Sequence, residues 1–392
     1  SAYNHEIMAF KVVIAPQEFK GALSALAAAE AIDRGVRAAS PEVETVLVPV
    51  ADGGDGTLDA LVKGSGGQVF SSVVTGPLGQ PLEALWGVMG DGETAVIEMA
   101  LASGLALVPP QHRNPCITTT RGTGEIIGEA LGKGFSRIVV GLGGSATNDG
   151  GAGMAGALGA RFLDAEDHTL PEGGAALARL AKVDVSTLNP KLAQTSIIGA
   201  TDVTNPLCGP TGASAVYGPQ KGASAEMVVD LEAALQNYDR VLRQDLETDV
   251  GERPGAGAAG GLGAGLMAFA GAELQSGIDM VCEVVNFDAH LQGADLVITG
   301  EGRADGSTIF NKAPVGVARH ALAQGVPTLL LAGGLGPGHQ ELYQHGIAAI
   351  VCIADGPMSF RQSLGRTAAL LEEVAERSMR LMAIGAKLGA GN

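Results

Sequence analysis

The amino-acid sequence predicts a doubly wound α/β protein of two domains. Three observations lead there. Short apolar runs alternate with segments whose apolar residues recur at helical spacing. Most of those runs are followed at once by a loop rich in Gly and Asp. One stretch, residues 68–99, breaks the alternation with three β-rich runs separated by turn residues. A chain of 392 residues also exceeds what one hydrophobic core usually supports. Glycine, at 59 residues, is roughly twice its usual share of about 7%. The glycines follow no collagen period and sit beside Val, Ile and Leu, so they indicate many tight loops in a globular chain.

The first run, 10–15, ends at Pro16, and Ala25, Ala28, Ala29, Ile32 and Val36 then follow at helical spacing. A second strand, TVLVPV at 45–50, precedes Asp52-Gly53-Gly54-Asp55-Gly56-Thr57 and a short helix near 58–63. In the 68–99 meander, Gly76-Pro77-Leu78-Gly79 and Gly90-Asp91-Gly92 are the expected hairpin turns, and a second domain is expected to begin there. Further buried strands are expected at 137–141, 195–200, 295–299, 328–332 and 347–353, with a closing helix over 360–387.

A net charge of −17, with no basic stripe, argues against a nucleic-acid partner. It also makes each Lys or Arg in a glycine loop informative, because an anionic ligand must be held against the average field. Cys116, Cys208, Cys282 and Cys352 are far apart and show no metal-ligand spacing, which fits free thiols in a reducing, cytoplasmic setting. Residues 1–10 do not read as a secretion signal, and no apolar run reaches the ~18 residues of a membrane helix. The seven histidines have no zinc spacing, and G-x-S-x-G is absent.

Ligands of open α/β sheets bind beyond the carboxyl ends of strands. Five such positions carry related loops: Gln17-Glu18-Phe19-Lys20-Gly21, 52–57, 143–151, Thr201-Asp202-Val203-Thr204-Asn205, and 300–307 with Glu301, Arg303, Asp305 and Ser307. Phosphoryl transfer uses this mixture of amides, cations and Mg²⁺-holding carboxylates. Each loop has a plainer explanation. Turn formation and capping account for Asp52 and Asp55, Lys20 alone reads as a surface lysine, and Glu301 and Arg303 can pair with each other. Asp202 and Asp305 follow buried strands, where an acid is costly unless used or paired. The 143–151 loop has more glycine than a turn of its length requires, and no Walker-type phosphate loop is present. Two G-x-G-x-x-G matches, starting at Gly151 and Gly255, keep a nicotinamide-dependent hydroxy-acid dehydrogenase as the rival, although neither directly follows a strand. A non-enzymatic small-anion binding protein is the third reading.

The wording of the loops is more specific than their composition. KVVIAPQEFKGALSA at 11–25, VPVADGGDGT at 48–57, VTGPLG at 74–79, IEMALASGL at 97–105 and TTTRGTGE at 118–125 are followed by GLGGSATNDGGAGM at 141–154, TDVTNPLCGPTGAS at 201–214, YGPQKGA at 217–223, GAGAAGGLGAG at 255–265 and ITGEGRADGST at 298–308. In this order they resemble the bacterial type-1 glycerate kinases over about 10–387. Gln17-Glu18 stands where that family commonly has Asp-Ser, and Asp55 where Glu is frequent.

The resemblance implies an Mg²⁺-dependent transfer from ATP to D-glycerate, usually giving 2-phosphoglycerate. It also implies a Rossmann-like doubly wound parallel sheet and a second α/β domain in a discontinuous arrangement around an interdomain cleft. The expected boundaries are 1–66 with 290–392, and 67–289. Lys20, Asp202 and Arg303 are the catalytic candidates, with Asp202 orienting or deprotonating the attacking hydroxyl. Gly143, Gly144, Ser145, Thr147, Asn148 and Lys221 are candidates for contacts to ATP phosphates, and Asp305 and Asp52 for Mg²⁺. The expected partners are these two small molecules, with no nucleic acid and no membrane; a homo-oligomer is left open.

Overall fold

The computed structural model describes residues 11–309 and 312–389. Phe10, the first residue of the first expected strand, and the 1–10 segment read as lacking a signal lie outside them. The chain separates into two compact units, Ser1–Ala51 with Ile278–Asn392, and Asp52–Gly277.

The first unit is built on a five-stranded, all-parallel sheet in the order Ile347–Cys352, Thr328–Ala332, Leu296–Glu301, Lys11–Ile14, Glu44–Leu47. Side chains alternate between the faces of a strand. Val12, Ile14, Leu296, Ile298, Leu329 and Leu331 therefore pack in one cluster with residues of the helices Ala25–Ala39 and Phe360–Gly389. Leu330 and Ala332 lie in another with Val315 and Ala318 of the helix Ala313–Ala323. Both faces are thus covered, as a parallel sheet requires. The chain winds outward in one direction after Lys11–Ile14 and in the other after Leu296–Glu301. The loops leaving these neighbouring strands open at a topological switch point, where such sheets bind ligands.

The second unit has a six-stranded mixed sheet. Glu273–Gln275, Ser196–Ala200, Arg137–Gly141 and Thr94–Glu98 are parallel, and Pro81–Val88 and Gln68–Thr75 continue the sheet antiparallel. The expected hairpin turn closes where the Gly79 amide donates to Gly76 O at 2.9 Å. Trp86 anchors the meander, stacked on Phe70 at 5.1 Å. The structure adds three elements that the sequence reading left out: the 22-residue helix Ala225–Leu246 capped by Ser224, the strand Glu273–Gln275, and the hairpin Arg161–Leu163 with Lys182–Asp184. No helix among the described residues is long and apolar enough to cross a membrane.

The helices Ala25–Ala39 and Phe360–Gly389 approach closely at Gly35, where a Cβ would stand 2.1 Å from Glu372 O and 2.9 Å from Ala375 Cβ. Backbone cannot yield there without separating the helices. Gly35→Ala should destabilise the protein by about 1–3 kcal/mol, seen as a lower midpoint in urea unfolding, although Ala is the better helix former.

Candidate active site

In the second unit, the 52–56 loop crosses the carboxyl ends of three strands with almost no room to spare. A Cβ on Gly53 would meet Ala200 O at 2.4 Å, one on Gly143 would meet Gly54 Cα at 2.3 Å, and one on Gly277 would meet the Asp52 carbonyl at 2.4 Å. The Gly143 amide donates to Gly53 O at 2.9 Å. Asp52 Oδ1 accepts from the Gly54 amide at 3.2 Å, and Asp202 Oδ1 from the Gly277 amide at 3.1 Å. The far side of the loop is held by Glu98, only 3% exposed, whose two oxygens accept from the Gly56 and Leu58 amides. Sequence reasoning missed Glu98. Its signal was a carboxylate ending an otherwise apolar strand.

Gly143 and Gly144 are half-buried, whereas 145–150 are buried. The Ala146 amide donates to Ser103 O and the Gly150 amide to Gly260 O, both at 3.0 Å. Among the described residues, no acceptor receives the amides of Gly144, Ser145, Thr147, Asn148 or Asp149. Buried amides are nearly always paired, with protein, water or ligand. Five in one loop, with Gly144 at φ +72°, make a concavity suited to an anion.

Behind this loop the side chains are fixed from below. Asn148 Nδ2 donates to Ser214 Oγ at 3.0 Å, and Asn148 Oδ1 is buried without a partner. Asp149, fully buried, accepts from the Thr120 amide and hydroxyl and from the amides of Gly151 and Gly153. Burial pushes its carboxyl up, against four hydrogen bonds that favour the charged form. Lys221 is 2% exposed and donates to Thr147 O at 2.6 Å. Burial pushes its ammonium down to about 7, opposed by the charge of Asp149.

In the first unit, the switch point brings Gln17 to Glu301 and the backbone of Phe19 and Lys20 to Gly302, with Arg303 and Asp305 next along the chain. The turn at 19–23 closes through Phe19 and Leu23 amides and carbonyls, and Gly302 lies against the Lys20 backbone, 3.6 Å from a Cβ built on Gly302. Arg303 pairs with Asp305, Nε to Oδ2 at 3.2 Å, and not with Glu301. Glu301 is buried, accepting from the Thr308 hydroxyl at 2.9 Å and Gln17 Nε2 at 3.5 Å. The other Asp305 oxygen accepts from the Ser307 hydroxyl and amide. These bonds, the Ser307 hydroxyl foremost, hold its carboxyl below its ordinary range.

The candidate residues thus fall into two groups: Lys20, Arg303 and Asp305 in the first unit, and Asp52, Asp202, Lys221 and the 143–148 loop in the second. A glycine loop with unclaimed amides beside carboxylate-bearing loops, at the carboxyl ends of parallel strands, has the parts that phosphoryl transfer uses. Comparison with known proteins gives the particular family. A sequence model described as "Glycerate kinase family" matches residues 12–383. "Glycerate kinase" of Bacillus subtilis is 49% identical over 93% of this chain and 96% of its own length, and "Glycerate 2-kinase" of Escherichia coli is 50% identical over 88% and 90%. A crystal structure from Salmonella typhimurium LT2, whose name includes "glycerate kinase 2", superposes with a TM-score of 0.81 at 44% identity, covering 97% of this chain and all of that one. The chain belongs to the glycerate kinase family and is a kinase.

Gly143 tests whether the backbone contact matters to catalysis. Gly143→Ala must push the 52–56 loop aside, and a misplacement of about 1 Å can cost on the order of a hundredfold in rate. We expect a loss of that size in kcat/KM for glycerate phosphorylation, while circular dichroism reports an intact fold.

Proposed function

We propose that the chain transfers the γ-phosphoryl group of ATP to D-glycerate, giving 2-phosphoglycerate, in the cytoplasm. The observation that carries this is the set of unclaimed amides at Gly144, Ser145, Thr147, Asn148 and Asp149, in a loop lying against the 52–56 loop of a chain of the glycerate kinase family. Gly144 and Ser145 present backbone amides toward phosphate oxygens, and Gly143, its own amide taken by Gly53 O, lets the chain pass close to the 52–56 loop. Thr147 and Asn148 contribute amides, because their side chains are buried; the Thr147 hydroxyl is 3.5 Å from Ala259 O and the Asn148 amide group is held by Ser214. Lys20 and Arg303 are exposed cations suited to anionic oxygens, Arg303 being aimed by its pair with Asp305. Asp202 orients or deprotonates the hydroxyl that attacks.

Mg²⁺ would lower the charge on the phosphates. This ion usually takes one or two carboxylates and completes its shell with water and phosphate oxygens. Asp52, half-buried and with Oδ1 turned to the Gly54 amide, fits as a ligand. Asp305 fits less well, since a guanidinium and a serine hydroxyl already cover its two oxygens. We therefore assign Asp305 to holding Arg303. The dehydrogenase reading finds no support in the two G-x-G-x-x-G segments. The first lies on the short helix Ala152–Ala157. The second leads into the helix Ala258–Ala270, where residues 259–261 adopt positive φ.

Two measurements test the proposal. With ATP, Mg²⁺ and D-glycerate, phosphorus NMR should show a product signal at the 2-phosphate position; a 3-phosphate signal would correct the regiochemistry, and no ATP consumption would refute the co-substrate. Asp202→Asn should lower kcat by roughly 10²–10⁴-fold, the usual contribution of a positioned proton acceptor. Undiminished turnover would remove Asp202 from the chemistry.

A further inference from the structure

Lys221 is a cation where cations are expensive. It is 2% exposed; among the described residues its ammonium donates to a neutral carbonyl, Thr147 O at 2.6 Å, and the buried Asp149 is the charge that favours its protonated form. Burying an ammonium against a neutral acceptor forfeits several hydrogen bonds to water, so a lysine placed there for stability alone would be outperformed by an apolar residue of its length. What the contact does is local and geometric. A trans peptide directs its C=O and N–H to opposite sides. Pinning Thr147 O toward Lys221 therefore turns the Asn148 amide the other way.

The rest of the loop is anchored on the same side. Gly260 leaves no room beyond Thr147 O, a Cβ there being 1.9 Å away. Tyr238 donates its hydroxyl to Gly150 O at 2.9 Å, and Asp149 gathers four donors below the loop. The carbonyl of Thr147 is thereby removed from the side to which the unclaimed Asn148 amide points. The protonated form of Lys221 puts a positive charge behind that side, beside the buried Asp149, in a chain whose net charge is −17.

We propose that Lys221 is a positioning residue for the co-substrate. From beneath the 143–149 loop, it fixes the Thr147–Asn148 peptide and supplies the positive field that lets the loop's amides receive phosphate oxygens. The inference rests on the reading of 143–149 as the phosphate loop. Lys221 acts through Thr147 and touches no substrate.

Burial sets the sign of the stability effect. A lysine whose folded pKa lies near 7, against ~10.4 when unfolded, destabilises the fold below pH 7. That cost fades as pH rises toward the unfolded value. Lys221→Met keeps the volume and removes the charge, so at pH 7 its thermal midpoint should equal or exceed that of the parent. Its KM for ATP should rise on the order of ten- to a hundredfold, the worth of a hydrogen bond to a charged group, with KM for glycerate unchanged. Lys221→Ala should recover ATP affinity when propylamine is added near pH 7, and propanol should not replace it.

Two results would overturn the proposal: a KM for ATP within about twofold of the parent in Lys221→Met, or a fall in thermal midpoint with no amine rescue in Lys221→Ala. Gly144→Val, which crowds the loop itself, separates the two readings. If it raises KM for ATP while Lys221→Met does not, the phosphate loop stands and the role of Lys221 falls; if neither does, both fall.

Discussion

The second unit depends on backbone meeting backbone without side chains between. The 52–56 loop can lie across the ends of the strands Arg137–Gly141, Ser196–Ala200 and Glu273–Gln275 only because Gly53, Gly143 and Gly277 carry no Cβ. Remove that closeness and the Asp52 and Asp202 carboxylates lose their shared reference. Asp202 is oriented by the Gly277 amide, and Gly277 itself abuts the Asp52 carbonyl. Glu98 then holds the loop from its far side. The glycines of these loops are thus a consequence of close packing: backbone lies against backbone at Gly53, Gly143 and Gly277, where any Cβ would intrude.

Much of this was legible in the sequence because it is periodic or punctuated. The alternation of Val12, Ile14, Leu329 and Leu331 against Leu330 and Ala332 is readable as strands covered on two faces, and the turns at 76–79 and 90–92 announce the meander. The helix Ala225–Leu246 went unread although Ser224 caps it, because its apolar positions are interrupted by Asp, Glu, Gln and Arg on the outer face. At the site, sequence located the loops but not the direction of their side chains. Thr147 and Asn148 read as candidates for phosphate contacts, by amide or hydroxyl; in the structure their side chains turn to Ala259 and Ser214. Arg303 seemed matched to Glu301, two residues away at the end of the same strand. The strand's pleat instead turns Glu301 into the interior to meet Thr308, and the next acid, Asp305, receives the guanidinium. Direction is a property of φ and ψ, and no residue type encodes it alone.

Asp149 shows the same limit from the other side. In the sequence it is one acid in an Asn-Asp-Gly-Gly turn, whose ordinary explanation is local capping. In the structure it reaches 29 residues back to Thr120, binding its amide and hydroxyl, while Thr120 Oγ1 in turn accepts from the Met154 amide. A carboxylate in that position joins the start of the helix Arg121–Lys133 to the start of Ala152–Ala157 and so fixes where the 143–149 loop must end.

Net charge places a final constraint on how such a site can be built. A chain at −17 that handles anionic substrates cannot rely on its average field, and a surface rich in lysine would be screened within about 8 Å at physiological salt. Amide dipoles and a cation placed behind them, in low dielectric, are screened far less. They are also fixed in advance, so no reorganisation is needed when charge arrives. The cost of that arrangement falls on folding: a buried lysine, a buried aspartate raised above its ordinary range, and an unpartnered Asn148 oxygen are all tolerated within one loop and its support. The places where the fold is least comfortable are the places where its sequence is most specific, since stability alone would have filled them with apolar side chains.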